Sequence, residues 1–149
     1  MIMKIQDLKK ELAAVLSSNG YEVDDELAEN VIGAINQDGV ATFFNFCDMD
    51  DFKRLSNDSE KVIRLNVTSV FELPNMTDDE YIDFVQLIHG YTGICFVKRE
   101  DGNYIAVASN FITNKKQMLT SASISLNAMN TTACIIGRYY MAKEDCQRA

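Results

Sequence analysis

A short acidic stretch is the first place in this sequence where chemistry could occur. Residues 48–51 read Asp-Met-Asp-Asp, and closely spaced carboxylates are the ligands that Ca²⁺ and Mg²⁺ prefer. An EF-hand loop would also need glycine at its sixth position and glutamate at its twelfth. Counted from Asp48, those positions hold Lys53 and Ser59. We therefore expect residues 47–59 to form a solvated polar loop, without a metal or other cofactor.

A cysteine–histidine pair is the second candidate. His89 is the only histidine, and a nucleophilic cysteine would have to lie within hydrogen-bond reach of it. Cys95 is the nearest in sequence, but it stands between Ile94 and Phe96. Apolar surroundings disfavour the reactive thiolate. We interpret Cys95 as a core residue and His89 as a helix C-terminal residue that interacts favourably with the helix dipole.

The four cysteines indicate a reducing compartment. Cys47, Cys95, Cys134 and Cys146 are scattered and form no CxxC pair, so neither a zinc site nor a disulfide framework is expected. The first residues contain no apolar run typical of a secretory signal, and no stretch is long and apolar enough to span a membrane. We expect a cytoplasmic protein.

The charge balance narrows the classes of partner. The 149 residues include 22 acidic and 14 basic side chains, for a net charge of −8. Nucleic acids and anionic membranes bind to positive surfaces, so we expect neither as a partner. The acidic balance suits a basic protein partner, or it serves solubility alone.

The first part of the chain predicts a helix followed by strands. Residues 5–18 carry one apolar stripe at helical spacing and are followed by Asn-Gly, a common helix end. Residues 24–35 allow two interpretations. Asp24 or Asp25 could cap a short helix, or residues 31–36 could form a strand paired with residues 41–46 through an Asp-Gly turn. We favour the hairpin.

The remainder predicts a strand and then a helix–hairpin–helix unit. Residues 61–73 alternate cleanly between apolar and polar positions up to Pro74, as in a half-buried strand. Thr77 and Glu80 have the spacing of a capping box, which begins a helix over residues 77–89. A hairpin follows over residues 94–111. A second helix from about residue 114 is expected to be interrupted at residues 130–132 and to resume over residues 133–143.

Together these elements predict an α+β fold. Their order is α-β-β-β-α-β-β-α, and strands joined by short turns imply an antiparallel sheet of about five strands with helices packed on one face. No repeat or linker suggests a second domain, so residues 1–149 are expected to form one domain.

This order of elements resembles the type III secretion chaperone-like fold, which includes class I chaperones and the YbjN family of bacterial proteins. The likeness covers the N-terminal helix ending Ser-Asn-Gly-Tyr-Glu-Val, three strands, a middle helix, the hairpin Ile-Cys-Phe-Val-Lys-Arg-Glu-Asp-Gly-Asn-Tyr-Ile-Ala-Val and a closing helix. It implies a homodimer that binds another polypeptide, with no cofactor and no catalysis. The polar stretch at residues 47–59 and the long apolar tail helix depart from that pattern.

We therefore expect a non-enzymatic protein-binding module, a chaperone or adaptor. The strand at residues 41–46 and the tail helix carry more large apolar side chains than a small core needs, which also predicts a homodimer. The predicted partner-binding residues are Phe44, Phe46, Ile135, Ile136, Tyr139 and Tyr140. An immunity or inhibitor protein that neutralises a basic toxin is the alternative. A small hydrolase or transferase using Asp48, Asp50, Asp51 or His89 is the least favoured.

Overall fold

Helices and strands account for most of the chain. A computed structural model describes residues 4–49 and 62–148, with side chains described through residue 145. In chain order the elements are α1 (Ile5–Ser18), β1 (Glu22–Ala28), β2 (Val31–Ile35), β3 (Ala41–Asp48), β4 (Ile63–Phe71), α2 (Asp78–Thr92), β5 (Cys95–Lys98), β6 (Tyr104–Ile112) and α3 (Lys115–Arg148). The predicted α+β class is confirmed, with six strands rather than about five.

The strands form one antiparallel sheet in the order β1-β2-β3-β4-β6-β5. The order follows the chain except at β4, which pairs with β3 on one side and with β6 on the other. The hairpin β2–β3 is confirmed, with Ile32 opposite Phe44 and Ile35 opposite Ala41. Gly39, in its turn, takes a left-handed conformation with φ +83°, which glycine adopts without steric cost.

The three helices of the described residues pack on the same face of this sheet. Leu8, Leu12 and Leu16 of α1 share one core with apolar residues of α2, α3 and the inward positions of every central strand. Phe44 and Phe46 are 0% and 1% exposed within that core. We had predicted both as partner-binding residues, but a side chain without exposed surface cannot contact a partner while the core is intact. Their role is to pack the sheet against the helices.

The strand β1 is the element that the sequence pattern did not predict. Residues 24–28 belong to it rather than to a short helix. Its pairing with β2 is irregular between Asp24 and Ala28, so the chain bulges there. Aspartate and glutamate are depleted in strands, but an edge strand tolerates charged side chains because one of its sides has no neighbouring strand.

The helix α2 begins where the capping box predicted. The Thr77 side chain accepts a hydrogen bond from the Glu80 backbone N–H at 3.2 Å, and Glu80 accepts one from the Thr77 N–H at 3.3 Å. The helix continues past Gly90, so the predicted end at residue 89 is three residues early. Gly93, with φ +71°, caps it.

The helix α3 runs without a break across residues 130–132, contrary to the prediction. Two of the residues expected to interrupt it have their polar groups satisfied. Thr132 donates a side-chain hydrogen bond to the Ala128 carbonyl at 2.8 Å. Asn130 bonds to Asn36 at 3.0 Å and to the Tyr21 hydroxyl at 3.3 Å. Contacts with other parts of the fold therefore override the low helix propensity of these residues.

Part of the predicted polar loop lies outside the described residues. Cys47 and Asp48 are not loop residues, because both belong to β3 and pair with Arg64 and Ile63 of β4. Residues 50–61, including Asp50 and Asp51, lie outside the described part of the chain.

Candidate functional site

The face of the sheet opposite the helices is the candidate functional surface. Alternate residues of a strand point to opposite faces, and the register identifies which residues share this open face. Phe43 of β3 lies beside Gly33 of β2 and Thr68 of β4, and Thr68 lies beside Val107 of β6. Within residues 4–49 and 62–148, no helix packs over these positions.

Apolar side chains form a continuous band across one half of the open face. The register places Ile35, Ala41, Val70, Ile105 and Val97 in one row across five strands, with Phe43 and Val107 in the row beside it. We call the larger of these side chains the apolar band: Ile35, Phe43, Val70, Val97, Ile105 and Val107. Val70 is 41% exposed and Val97 is 54% exposed, so much of this surface is in water.

A residue of the bulged edge strand extends the band. A Cβ atom added to Gly33 would lie 2.8 Å from a terminal methyl of Leu27 and 3.5 Å from the Phe43 ring. The exposed Leu27 side chain therefore folds over Gly33 onto the open face. The bulge in β1 brings an apolar group onto the surface from a strand that is otherwise acidic.

The other half of the open face is mostly polar, although Phe111 of β6, opposite Arg64, is 52% exposed there. Its rows contain Asn45, Asn66 and Ser109, and the Ser109 hydroxyl donates to the Asn66 side chain at 2.7 Å. Arg64 lies in the next row, beside Cys47. Its Nε is buried and has no hydrogen-bond partner among the described residues. A buried N–H without an acceptor costs stability.

The two edges of the sheet are poorly suited to adding a further strand. The edge strand β1 carries Glu22, Asp24, Asp25 and Glu26 and is bulged. The opposite edge, β5, has only four residues. Charges, bulges and short length all discourage edge pairing. A partner protein is therefore accommodated more easily on the open face of the sheet than at either edge.

The predicted partner-binding residues of the tail helix face inward. Ile136 is buried, and Ile135, Tyr139 and Tyr140 are half-buried against the core. The Tyr139 ring meets Phe84 of α2 edge-on, with ring centroids 5.4 Å apart. The Tyr140 hydroxyl donates to the Glu72 carbonyl at 2.9 Å. These residues attach the second half of α3 to α2 and to the segment after β4.

A polar cluster reinforces this attachment. A carboxylate oxygen of Glu80 accepts from the Tyr139 hydroxyl at 3.0 Å and pairs with the Lys143 ammonium at 3.2 Å. The hydrogen bond from the Thr77 backbone, together with those from Tyr139 and Lys143, holds the pKa of Glu80 below its ordinary value. Burial and the bond to Glu80 raise the pKa of Tyr139. These bonds stabilise the ionised form of Glu80, which in turn holds the second half of α3 against the start of α2.

His89 and Cys95 do not form a hydrogen-bonded catalytic pair in the described part of the chain. His89 and Cys95 line one cavity of about 320 Å³ with mainly apolar walls. Both are exposed, and within the described residues no hydrogen bond joins their side chains or orients either one. No group of three or more metal-binding side chains is brought together in the part of the chain that is described.

Comparison of the chain with protein-family models, with curated proteins and with solved structures finds no match. Among the described helices, none combines the length and the apolar character needed to cross a bilayer.

The sequence predicted only part of the open face. The alternation in β3 indicated that Phe43 lies opposite Phe44 and Phe46. Which of the two faces the helices cover depends on how α3 packs, and this packing is not evident from the pattern of β3. The predicted binding residues Phe44 and Phe46 lie on the covered face.

Proposed function

We propose that this chain is a non-enzymatic protein-binding module, a chaperone or adaptor, that binds another polypeptide through the open face of its sheet. The observation that carries the proposal is the apolar band, whose large side chains are exposed (Ile35, Val70, Val97) or half-buried (Phe43, Ile105, Val107) on a sheet already covered on its other face. Contiguous apolar surface of this kind is typical of protein interaction sites.

The shape of the band supports a polypeptide as the ligand. It crosses the sheet from β2 to β5, a distance of roughly 19 Å at about 4.8 Å per strand, and Leu27 lengthens it on the β1 side. A surface this long and flat is larger than a small molecule covers. The more polar half beside it, with the Asn66–Ser109 pair, offers hydrogen bonds that orient a partner.

The resemblance to type III secretion chaperone-like proteins and the YbjN family supports the same class of function. The resemblance implies a homodimer, and the apolar band is a surface on which two copies could meet while no partner polypeptide occupies it. Cys47, Cys95 and Cys134 are free thiols, which suits the reducing conditions of the cytoplasm.

A second candidate function has one observation in its favour. The β1 edge carries Glu22, Asp24, Asp25 and Glu26, and no cation pairs with them among the described residues. An immunity or inhibitor protein that neutralises a basic toxin would use such an edge, because complementary charge speeds association and selects the partner.

The test is affinity capture from the source cell with identification of bound proteins by mass spectrometry. Val97→Asp places a charge in the apolar band, and we expect it to remove the bound partner. Ile82→Asp is the matched control. Ile82 is 52% exposed on α2, close to the value for Val97, but it lies away from the open face. The control variant should retain the partner.

The outcomes separate the candidate functions. Equal capture by the wild type and by Val97→Asp would refute binding through the open face. A basic partner that resists Val97→Asp but is lost when Asp25 and Glu26 are both changed to Lys would identify the inhibitor function. Melting temperatures of all variants establish that each remains folded.

A further inference from the structure

A groove lies between α1 and α3 on the covered side of the molecule. An ion pair between Glu11 and Lys115, 3.2 Å long, joins the two helices, which otherwise touch over only a short stretch. Beside them is a cavity of about 520 Å³. A second cavity of about 350 Å³ continues it, because Asn19, Tyr21 and Asn130 line both. We call the two together the α1–α3 groove.

The larger part of the groove combines apolar side chains with polar ones, which include Asn19, Ser123 and Asn127. Leu12 and Leu16 of α1 are buried at its base, and Val15 lies partly exposed at its rim. From α3, Leu119 is half-buried and Ile124 is 65% exposed. An exposed isoleucine beside a leucine-lined depression resembles a helix–helix interface that lacks its third helix.

The other end of the groove is polar and uncharged apart from one residue. Asn36 donates to Asn130 at 3.0 Å, and Asn130 donates to the Tyr21 hydroxyl at 3.3 Å. The charged residue there is Asp38, which has no cation partner within the described part of the chain. The C-terminus of α1 lies at the same end and has no basic residue in its last turn. The negative end of the helix dipole and a free carboxylate together favour a cation.

We propose that the α1–α3 groove binds an amphipathic helix of a partner protein, with its apolar face against Val15, Leu119 and Ile124 and a Lys or Arg beside Asp38. The walls of the larger part are two helices whose backbone groups are already bonded within each helix. An extended segment laid there would bury N–H and C=O groups without partners. A helix satisfies its own backbone, so it is the form of polypeptide that fits.

The dimensions set the length of this helix. The 14 residues of α1 extend over roughly 21 Å at about 1.5 Å per residue. A partner helix of similar length spans the groove from the Glu11–Lys115 pair to Asp38. This surface is separate from the open face of the sheet, so the inference does not depend on the proposed function.

The test is selection from a phage-displayed library of 16-residue peptides built on a helical scaffold sequence. We expect the selected peptides to carry apolar residues at i, i+3, i+4 and i+7 and a Lys or Arg near one end. Binding of the selected peptides is then measured by fluorescence anisotropy. Ile124→Glu should weaken binding at least about tenfold, because it places a charge against the apolar face of the peptide.

A control on the same helix makes the result specific. Met141 is also 65% exposed on α3, but it does not line the groove, so Met141→Glu should leave the affinity unchanged. Asp38→Lys should weaken the basic peptides and improve binding of peptides whose Lys or Arg is replaced by Glu.

Several outcomes would overturn the inference. They are a selection that yields no peptide, peptides without helical periodicity, equal losses for Ile124→Glu and Met141→Glu, or no change of charge preference with Asp38→Lys. Because Ile124, Met141 and Asp38 are all exposed, these substitutions leave the core intact, and circular dichroism melts verify that they do.

Discussion

Glu80 performs two tasks with one carboxylate. One oxygen closes the capping box with Thr77 at the start of α2, and the other binds Tyr139 and Lys143 near the end of α3. Lys143 also donates to the Asn75 carbonyl and lies over the Tyr139 ring. A single residue thus couples the start of one helix to the end of another.

This coupling predicts a pH-dependent stability. The folded-state pKa of Glu80 is lowered, so its contribution is fully present above its ordinary pKa of 4.5 and is lost as pH falls through the lower, folded-state value. Glu80→Gln keeps a side chain that can complete a capping box but removes the charge. We expect this variant to melt below the wild type at neutral pH.

Thermal melts from pH 7 down to pH 2 check this prediction. The gap between the wild type and Glu80→Gln should narrow as pH falls from 4.5 through the lower folded-state pKa, where the wild-type carboxylate becomes protonated. A gap that is constant over the whole range would show that the charge of Glu80 does not stabilise the fold.

At the scale of the element, β3 separates two functions onto its two faces. Phe44 and Phe46 point into the core, and Phe43 lies half-buried on the open face beside Gly33. The same strand therefore contributes to stability with one side and to the candidate binding surface with the other.

Alanine substitutions at the neighbouring positions Phe43 and Phe44 of β3 should differ in their effects on stability and on partner binding. Phe44→Ala creates a cavity in the core, and we expect a loss of about 3–5 kcal/mol in the free energy of unfolding. Phe43→Ala removes a half-buried ring and should cost closer to about 1 kcal/mol, while weakening capture of the open-face partner. Urea denaturation measures the first effect and affinity capture the second. Similar losses of stability in both variants would contradict the assignment of faces.

The elements that the sequence predicted well are those with strong local signals. The helix α1 begins and ends where its apolar stripe and the Asn-Gly pair indicated, and the capping box located the start of α2. These features depend on neighbours three or four residues away, so a single stretch of sequence contains them.

Other features depend on residues distant in sequence. The acidic β1 is a strand because β2 pairs with it, although its own composition disfavours one. Asn130 remains helical because Asn36 and Tyr21 bond to it across the fold. The α1–α3 groove requires two helices that are almost a hundred residues apart, and no local pattern indicates that they lie side by side.

At the scale of the whole molecule, helices occupy one face of the sheet and an apolar surface remains on the other. If two copies associate through this surface, they meet by a two-fold axis, because each offers the same band to the other. The homodimer proposed from the resemblance would therefore have two-fold symmetry if it forms on this surface.

Light scattering at micromolar concentration measures the association state. We expect a dimer for the wild type and a monomer for Val97→Asp, because the charge would be buried between two apolar bands. Ile82→Asp should remain a dimer. A monomeric wild type would refute the homodimer, and a dimer unaffected by Val97→Asp would assign the contact to another surface.

The position of β4 between β3 and β6 has a consequence for synthesis on the ribosome. The strands β1 to β4 emerge first, while β6 follows only after α2 and β5. In that interval the backbone edge of β4 that later pairs with β6 has no neighbour, and the face that carries Ile63, Leu65 and Val67 is not yet covered by α3. An unpaired apolar edge is a template for other nascent chains. Association with other nascent chains is therefore most favoured during the time that the ribosome takes to synthesise the chain from β4 to β6.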